Sequence, residues 1–308
     1  FKNGNSASST ASFQAYRNNI TYMAHAGIEC EGPKVINSDI WENDVHWCNL
    51  SNGSNGNITL NGFGNTVTIQ KNRAYNNRVS YGVHGRGAIT FDGSGIYIET
   101  GATECEVFAN EISYCHHALQ DNSGEQCDIV GNYVHDCDIG IVQTDAEARG
   151  NVDARYTDNC FQNMTYTALE YEPTTTAPLT AIISLQSAGT YKVVNNAIQG
   201  AAGTTDDGLR INTGVVQVID ERANHYDVGA DDIVNTTGTP QAIDATSSTG
   251  TVVIDSNGVG DKDSVLIGNG IRHWTAANPI TTAGPKSDVA TDIGLQSAYN
   301  PLHQAYKG

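Results

Sequence analysis

An internal repeat of 22 residues within residues 95–145 limits the folds open to this chain. Shifting the segment by that length superimposes its cysteine, asparagine and apolar landmarks: Cys105 on Cys127, Val107 on Ile129, Asn110 on Asn132, Cys115 on Cys137, and Ala118-Leu119 on Gly140-Ile141. A unit this short cannot bury an apolar face alone, so it must stack on its neighbours. The repeat therefore predicts a solenoid.

The same landmark, an asparagine followed about eight residues later by Gly or Ala and then Ile or Leu, extends outward from the central pair. Short apolar alternations, 32 glycines and abundant Asn, Thr and Ser favour many short strands joined by turns. Neither the leucine-rich frame nor four-strand propeller blades are visible, so the pattern predicts an all-β parallel β-helix over residues 1–280.

Three features are expected within this array. Residues 73–94 are predicted to be a long loop insertion, and residues 281–308 a C-terminal cap or tail. Further strands are predicted at residues 215–219, 251–254 and 265–267. A hydrogen-bonded asparagine ladder at one turn is predicted to contain Asn19, Asn110, Asn132, Asn159 and Asn196.

The Asn-x-Ile/Val … Gly-Ile units resemble the right-handed parallel β-helix proteins of the pectate-lyase-like superfamily. The resemblance covers roughly residues 15–275 and implies a right-handed coil. Most members of that superfamily are carbohydrate-active lyases, hydrolases or epimerases, and phage tailspikes and adhesins are among them. The resemblance implies that the protein acts on or binds a polysaccharide, but it does not distinguish a lyase, a hydrolase and an epimerase.

The net charge of the chain limits the classes of partner that it can bind. Lys and Arg number 16 against 34 Asp and Glu, for a net charge of -18. Clustered basic residues are needed to bind phosphates, so nucleic acid is excluded as an expected partner. No apolar run approaches the roughly 18 residues of a membrane span. We expect a secreted, cell-surface or virion-surface protein, either monomeric or trimeric.

Seven cysteines cannot all pair with one another. Cys105 and Cys127, like Cys115 and Cys137, would stack on adjacent coils about 4.8 Å apart, within disulfide reach. Buried free thiols are the preferred interpretation and disulfides the alternative. No Cys-x-x-Cys or paired Cys/His knuckle is present, so no metal site is predicted.

A stripe of polar side chains is predicted on one outer face. If the Ile or Leu after each Gly or Ala points inward, positions one and three beyond it point to solvent. The resulting pairs are Glu29 and Glu31, Tyr97 and Glu99, Gln120 and Asn122, Val142 and Thr144, Glu170 and Glu172, and Arg210 and Asn212. Tyr97, Glu99, Asn122 and Arg210 are candidates for binding sugars, and a plain solvated face is the alternative.

Glu170 and Glu172 are the candidate catalytic pair, because two residues on one strand are about 6.6 Å apart. Inverting glycosidases separate their carboxyls by roughly 6.5–9.5 Å. Arg210 is expected one coil further on, beside Glu170, which leaves Glu172 as the candidate acid. Asp145 is a third carboxylate within reach.

His84, Arg86 and Asp92, in the predicted insertion, form a second constellation that would overhang the stripe. His84 would act as a base and Arg86 would neutralise a uronate, as lyase or epimerase chemistry requires. No cofactor is expected for a hydrolase, whereas a lyase would be expected to use Ca²⁺. A mobile loop without chemistry is the alternative.

The piece TTDDGLRIN, residues 204–212, is similar to a polygalacturonase motif in which Asp precedes Gly at a strand start. The similarity implies a catalytic role for Asp207, although the family's paired-Asp motif is missing downstream. The leading hypothesis is an extracellular glycoside hydrolase. The alternatives are a lyase or epimerase on a uronate glycan and a non-catalytic glycan-binding, tailspike or adhesin β-helix.

Overall fold

The structure is a computed structural model, all-β wherever it is described. It describes residues 2–3, 11–32, 35–50, 56–62, 68–82, 94–99, 101–122, 126–144, 152–164, 181–186, 189–201, 207–211, 217–222, 224–228, 233–235, 241–243, 252–254, 265–267 and 270–272. The predicted cap at residues 281–308 lies outside these ranges. No helix in the described ranges has the length and apolar character of a membrane span.

Eight successive coils account for most of the strands. After β1 (Lys2–Asn3), coils 1 to 4 comprise β2 (Gln14–Tyr16), β3 (Asn19–Thr21), β4 (Ile28–Glu31); β5 (Asp39–Trp41), β6 (Asp44–His46), β7 (Gly56–Asn61); β8 (Thr68–Ile69), β9 (Arg73–Tyr75), β10 (Arg78–Ser80), β11 (Ser94–Glu99); and β12 (Ala102–Thr103), β13 (Glu106–Phe108), β14 (Glu111–Ser113), β15 (His117–Asn122).

Coils 5 to 8 continue the order. They comprise β16 (Asp128–Val130), β17 (Tyr133–His135), β18 (Ile139–Thr144); β19 (Val152–Thr157), β20 (Cys160–Met164), β21 (Ala181–Leu185); β22 (Gly189–Val194), β23 (Ala197–Gly200), β24 (Asp207–Ile211); and β25 (Gln217–Arg222), β26 (His225–Asp227), β27 (Ile233–Asn235), followed by β28 (Gln241–Ile243), β29 (Val252–Ile254), β30 (Val265–Ile267) and β31 (Gly270–Arg272).

Three long parallel sheets run the length of this stack. Sheet 1 has the order β1-β4-β7-β11-β15-β18-β21-β24-β27. Sheet 2 has the order β2-β5-β9-β13-β16-β19-β22-β25, and sheet 3 the order β3-β6-β10-β14-β17-β20-β23-β26. Each coil contributes one strand to each sheet, and every strand pairs with the equivalent strand of the next coil. The predicted parallel β-helix is confirmed.

The core is the column enclosed by the three sheets. One face of every strand supplies it, because side chains alternate across a strand. Inward residues of adjacent coils stack in register, for example Ile58, Ile96 and Leu119 in sheet 1, and they are fully buried. Apolar residues thus recur at the same three places in each coil, which produces the repeat in the sequence.

The asparagine ladder lies at the corner between sheets 2 and 3. Each Nδ2 donates to the Oδ1 of the asparagine one coil further on, at 2.9–3.0 Å. Its members are Asn18, Asn43, Asn77, Asn110, Asn132, Asn159, Asn196 and Asn224. Four of the predicted members are therefore confirmed. Asn19 is wrong by one residue, since it is exposed as the first residue of β3.

All seven cysteines are free and buried. Cys115 N–H donates to Cys137 Sγ at 3.4 Å, so these thiols cap backbone groups between coils instead of pairing covalently. Burial, with the Cys115 thiol beside it, raises the pKa of Cys137 and keeps the thiol neutral. The preferred interpretation of buried thiols is confirmed.

Two predicted features differ in the structure. The supposed insertion at residues 73–94 contains β9 and β10, whose registers match those of coils 2 and 4. Residues 81–93 separate β10 from β11. Residues 252–254 and 265–267 are strands, but they pair as antiparallel hairpins with β28 and β31. Coil pairing in the described residues therefore ends at coil 8.

Candidate active site

The outward side chains of sheet 1 form two rows along the helix axis. The first, the Tyr97 row, contains Glu29, Thr59, Tyr97, Gln120, Val142, Ser184 and Arg210. The second, the Glu99 row, contains Glu31, Asn61, Glu99, Asn122 and Thr144. Neighbours within a row are one coil apart, about 4.8 Å.

The predicted solvent-facing stripe is more enclosed than expected. Tyr97 is 4% exposed and Gln120 3%, and Ser184 is fully buried. Neighbouring coils stack closely, and the side chains of the Tyr97 row from Glu29 to Ser184 are all buried, whereas Arg210 at its end is partly exposed. In the Glu99 row, by contrast, Glu31, Glu99 and Thr144 are half-buried. The accessible part of the face is thus the Glu99 row.

A hydrogen-bond chain fixes the centre of this face. Asn122 Nδ2 donates to the Tyr97 phenol oxygen at 2.7 Å, and Thr144 Oγ1 donates to Asn122 Oδ1 at 2.9 Å. The chain links coils 3, 4 and 5 and crosses from the Tyr97 row to the Glu99 row. Tyr97 and Asn122, two predicted sugar-binding residues, are brought into direct contact.

Polar side chains also occupy the inward positions directly beneath this chain. Tyr156 of β19 donates its hydroxyl to Asp121 Oδ2 at 2.9 Å, and Tyr191 of β22 donates to Gln143 Oε1 at 2.7 Å. Burial and the nearby Asp121 carboxylate raise the pKa of Tyr156, which keeps its hydroxyl protonated as a donor. These contacts across the core hold β15 and β18 in place under Asn122 and Thr144.

Three carboxylates lie on coils 1 and 3 of the face. Glu29 is buried in the Tyr97 row, while Glu31 and Glu99 flank Asn61 in the Glu99 row. Two coils separate the backbone positions of Glu31 and Glu99, a distance of about 9.6 Å. The sequence placed Glu31 in the predicted stripe without a catalytic role and did not single out Asn61; the signal that points to both is their register with Glu99.

Arg210 and Asp207 lie at the other end of sheet 1. Arg210 Nε is 3.9 Å from Asp207 Oδ2, and Asp207 is 6% exposed. Arg210 stacks on Ser184, because β21 is the strand beside β24. Ser184 is therefore the partner of Arg210 in the register of sheet 1; the predicted contact with Glu170 stays a prediction, because Glu170 lies outside the described residues. Asp207 is four coils, about 19 Å, from the Glu99 level, too far for both to act on one bond.

The remaining predicted site residues, Glu170, Glu172, Asp145, His84 and Arg86, lie outside the described residues, so their catalytic and binding roles stay predictions. Within the described ranges, no group of three His, Cys, Asp or Glu side chains is arranged to hold a metal ion. The face offers carboxylates, amides and hydroxyls, which can exchange hydrogen bonds and protons with a bound molecule.

The known proteins that are similar to this chain were found by comparing structures. No protein-family model matches it, and no curated protein matches it either. A solved structure of DFA-IIIase from Arthrobacter chlorophenolicus A6 without its lid is similar, with a TM-score of 0.50 at 18% identity, covering 72% of this chain and 50% of that one. DFA-IIIase in complex with DFA-III aligns with a TM-score of 0.45 at 18% identity, covering 76% and 49%.

The chain thus spans about half the length of DFA-IIIase. At this identity the similarity concerns the fold alone.

Proposed function

We propose that this protein is an extracellular glycoside hydrolase that binds a polysaccharide along the Glu99 row of sheet 1. The observation that carries the proposal is the uninterrupted row Glu31–Asn61–Glu99–Asn122–Thr144, with one polar side chain on each of five coils. The fold shared with DFA-IIIase, an enzyme, supports catalytic use of a parallel β-helix.

The row suits a ligand rich in hydroxyl groups. Carboxylates only accept hydrogen bonds, amides donate and accept, and a sugar hydroxyl does both. The row contains no basic side chain, so it offers nothing to neutralise a uronate carboxylate, as a lyase requires. This favours hydrolysis of a glycan over β-elimination.

Glu31 and Glu99 are the described carboxylates best placed to share one reaction. Their backbone positions are about 9.6 Å apart by coil spacing, near the upper limit of roughly 9.5 Å between the carboxyl groups of inverting glycosidases. One carboxyl would protonate the leaving oxygen, and the other would take a proton from the attacking water. Asn61, between them, is placed to hydrogen-bond that water or a sugar hydroxyl.

A non-catalytic glycan-binding β-helix is the rival. Release of reducing ends from soluble glycans discriminates the two, using the whole chain and the Glu31→Gln and Glu99→Gln variants. We expect each substitution to lower the rate at least a hundredfold, because an amide neither donates nor accepts the reacting proton. Glu42→Gln is the matched control, since Glu42 lies at the corner between sheets 2 and 3, paired with Arg17.

Glu170→Gln and Glu172→Gln form the second arm of the experiment. If these two abolish cleavage while Glu31→Gln and Glu99→Gln leave it intact, the reaction belongs to the pair predicted from the sequence. If the native chain cleaves no glycan but binds one, the rival function stands. Accumulation of unsaturated products that absorb ultraviolet light would show that the enzyme cleaves by β-elimination and not by hydrolysis.

A further inference from the structure

The corner between sheets 3 and 1 carries a conformational anomaly. Coils 1 to 4 place an aromatic residue there in the left-handed region, with φ between 52° and 57°: Tyr22, Trp47, Tyr81 and Tyr114. Coils 5 and 6 place Asp136 and Asn163 at the equivalent position. Asn and Asp tolerate that region well, whereas a bulky side chain there is strained. Some interaction must therefore offset the strain of an aromatic residue at this corner in four consecutive coils.

These four side chains form a stacked column on the surface. Ring centroids of successive members are 6.4, 4.3 and 5.0 Å apart with nearly parallel planes. Tyr22 is 69% exposed and Tyr114 47%, so the column is not part of the core. Stacking offsets part of the strain. However, the rims of the rings remain open to solvent.

A second aromatic column runs parallel to the first at the end of sheet 2. Tyr16, Trp41, Tyr75 and Phe108 stack with centroid distances of 4.6, 6.0 and 4.7 Å. It belongs to the same coils 1 to 4. The three-residue strands of sheet 3, about 10 Å across, lie between the two columns in every one of these coils.

Between the columns lies a shallow groove of about 660 Å³, lined at the corner between sheets 2 and 3 and at the start of the sheet 3 strands by side chains such as Arg17, Glu42, Asp44, Arg78 and Glu111. Its charged side chains are paired along the axis: Arg17 Nε is 2.7 Å from Glu42, and Arg78 Nε is 3.7 Å from Glu111. Asp44 lies 3.2 Å from His46 Nδ1. Acceptors and donors therefore alternate along the groove floor, with little net charge left for an ionic ligand.

We propose that this groove, which lies between the Tyr22–Trp47–Tyr81–Tyr114 column and the Tyr16–Trp41–Tyr75–Phe108 column, is a second binding site for an uncharged, extended glycan that also reaches the neighbouring rings. Hydroxyl groups both donate and accept, so they suit a floor of alternating Asp44, Arg78 and Glu111. Phenol and indole groups on the rims add further hydrogen-bonding groups beside apolar ring edges.

An anionic chain would have to separate the paired guanidinium groups from their carboxylates within a protein of net charge -18. The choice of a glycan rests on the proposed function. The groove belongs to sheet 3 and the catalytic row to sheet 1, however, so binding here and cleavage there can fail independently.

Affinity electrophoresis of the whole chain tests the proposal, in native gels that contain a xylan, a β-glucan or a fructan as neutral probes and polygalacturonate as the anionic probe. We expect retardation by at least one neutral polysaccharide and none by polygalacturonate. The Trp47→Asn/Tyr81→Asn double variant should lose at least tenfold in affinity. Asparagine suits the left-handed corner, as Asn163 shows, so this variant should fold.

Asp136→Asn, at the same corner outside the aromatic column, is the matched control and should bind like the native chain. The Trp47→Asn/Tyr81→Asn variant should still cleave short soluble glycans at the native rate, which separates this site from the catalytic row. Equal retardation of the double variant and the native chain would overturn the proposal. So would the absence of retardation by every neutral probe, or preferential retardation by polygalacturonate.

Discussion

Asn132 shows how one side chain connects three coils. Its Nδ2 donates to Val107 O and to Asn159 Oδ1, and its Oδ1 accepts from the backbone and side-chain N–H groups of Asn110. All four bonds are buried. An alanine here would leave backbone and amide groups of two neighbouring coils without their partner.

We expect Asn132→Ala to lower the free energy of unfolding by roughly 2–4 kcal/mol, because several buried groups lose a partner at about 1–3 kcal/mol for each group left unpaired. Urea denaturation measures the change. Asn19→Ala, at the exposed residue next to the ladder, is the control and should shift the midpoint little. Equal effects of the two substitutions would contradict the ladder's structural role.

Tyr97 has a different task, since its hydroxyl is an acceptor for Asn122 on the face that we propose binds the glycan. Tyr97→Phe removes that acceptor, and we expect a loss of about 1–2 kcal/mol in unfolding free energy. Substrate affinity should weaken as well, because Asn122 loses its fixed orientation. The exposed Tyr16→Phe is the comparison. An unchanged KM for Tyr97→Phe would show that Asn122 needs no such support.

At the scale of the element, the Gly-Ile motif of the sequence has a packing cause. The glycine lies where a sheet 1 strand passes closest to sheet 3. A Cβ on Gly140 would be 2.5 Å from Phe161 Cδ1 and 2.9 Å from Ile182 O. On Gly95 it would be 2.7 Å from Ile112 Cγ2 and 2.8 Å from Ala118 O.

Gly140→Ala should therefore destabilise the fold by about 1–3 kcal/mol, the usual range for overpacking. Thermal unfolding followed by circular dichroism measures it. The matched control is Gly131→Asn: Gly131 has φ of 64° with open space around its Cα, and Asn76 and Asn195 occupy the same corner in other coils. A tolerated Gly140→Ala would mean that β18 can move away from sheet 3.

The sequence predicted well those elements in which every coil needs the same type of residue at the same position. Asn110 and Asn132 could be placed because a ladder needs one amide per coil, and Ile96 and Leu119 because inward positions must be apolar. Ser184 was not predicted beside Arg210, because the chain between β20 and β21 has a length that no local pattern reveals. Asn61 was overlooked because only register, not spacing along the chain, brings it between Glu31 and Glu99.

At the scale of the whole molecule, the core is a column of neutral thiols and hydroxyls as well as apolar side chains. Burial raises the pKa of Cys160 to about 11, and burial together with neighbouring groups raises the pKa values of Cys127, Cys137 and Tyr156. In the unfolded chain these thiols ionise near their ordinary value of 9.0. Above that pH the unfolded state loses protons that the folded state keeps.

Stability should therefore be full below about pH 9 and fall as the pH rises from there towards 11, by about 1.4 kcal/mol per pH unit for each such group. Thermal unfolding in the presence of a reductant at a series of alkaline pH values measures the slope. Cys160→Ala should make the slope shallower. An alkaline slope unchanged by Cys160→Ala would show that this thiol does not contribute.

The proposed hydrolysis requires that Glu31 and Glu99, with Asn61 between them, act on the same glycosidic bond. The anomeric configuration of the first product, followed by NMR before mutarotation, tests it most directly. Backbone positions about 9.6 Å apart place the two carboxyls far enough from each other for a water between them, which predicts that the released sugar has the inverted configuration. Retention of configuration, or inversion that persists in both Glu31→Gln and Glu99→Gln, would contradict it.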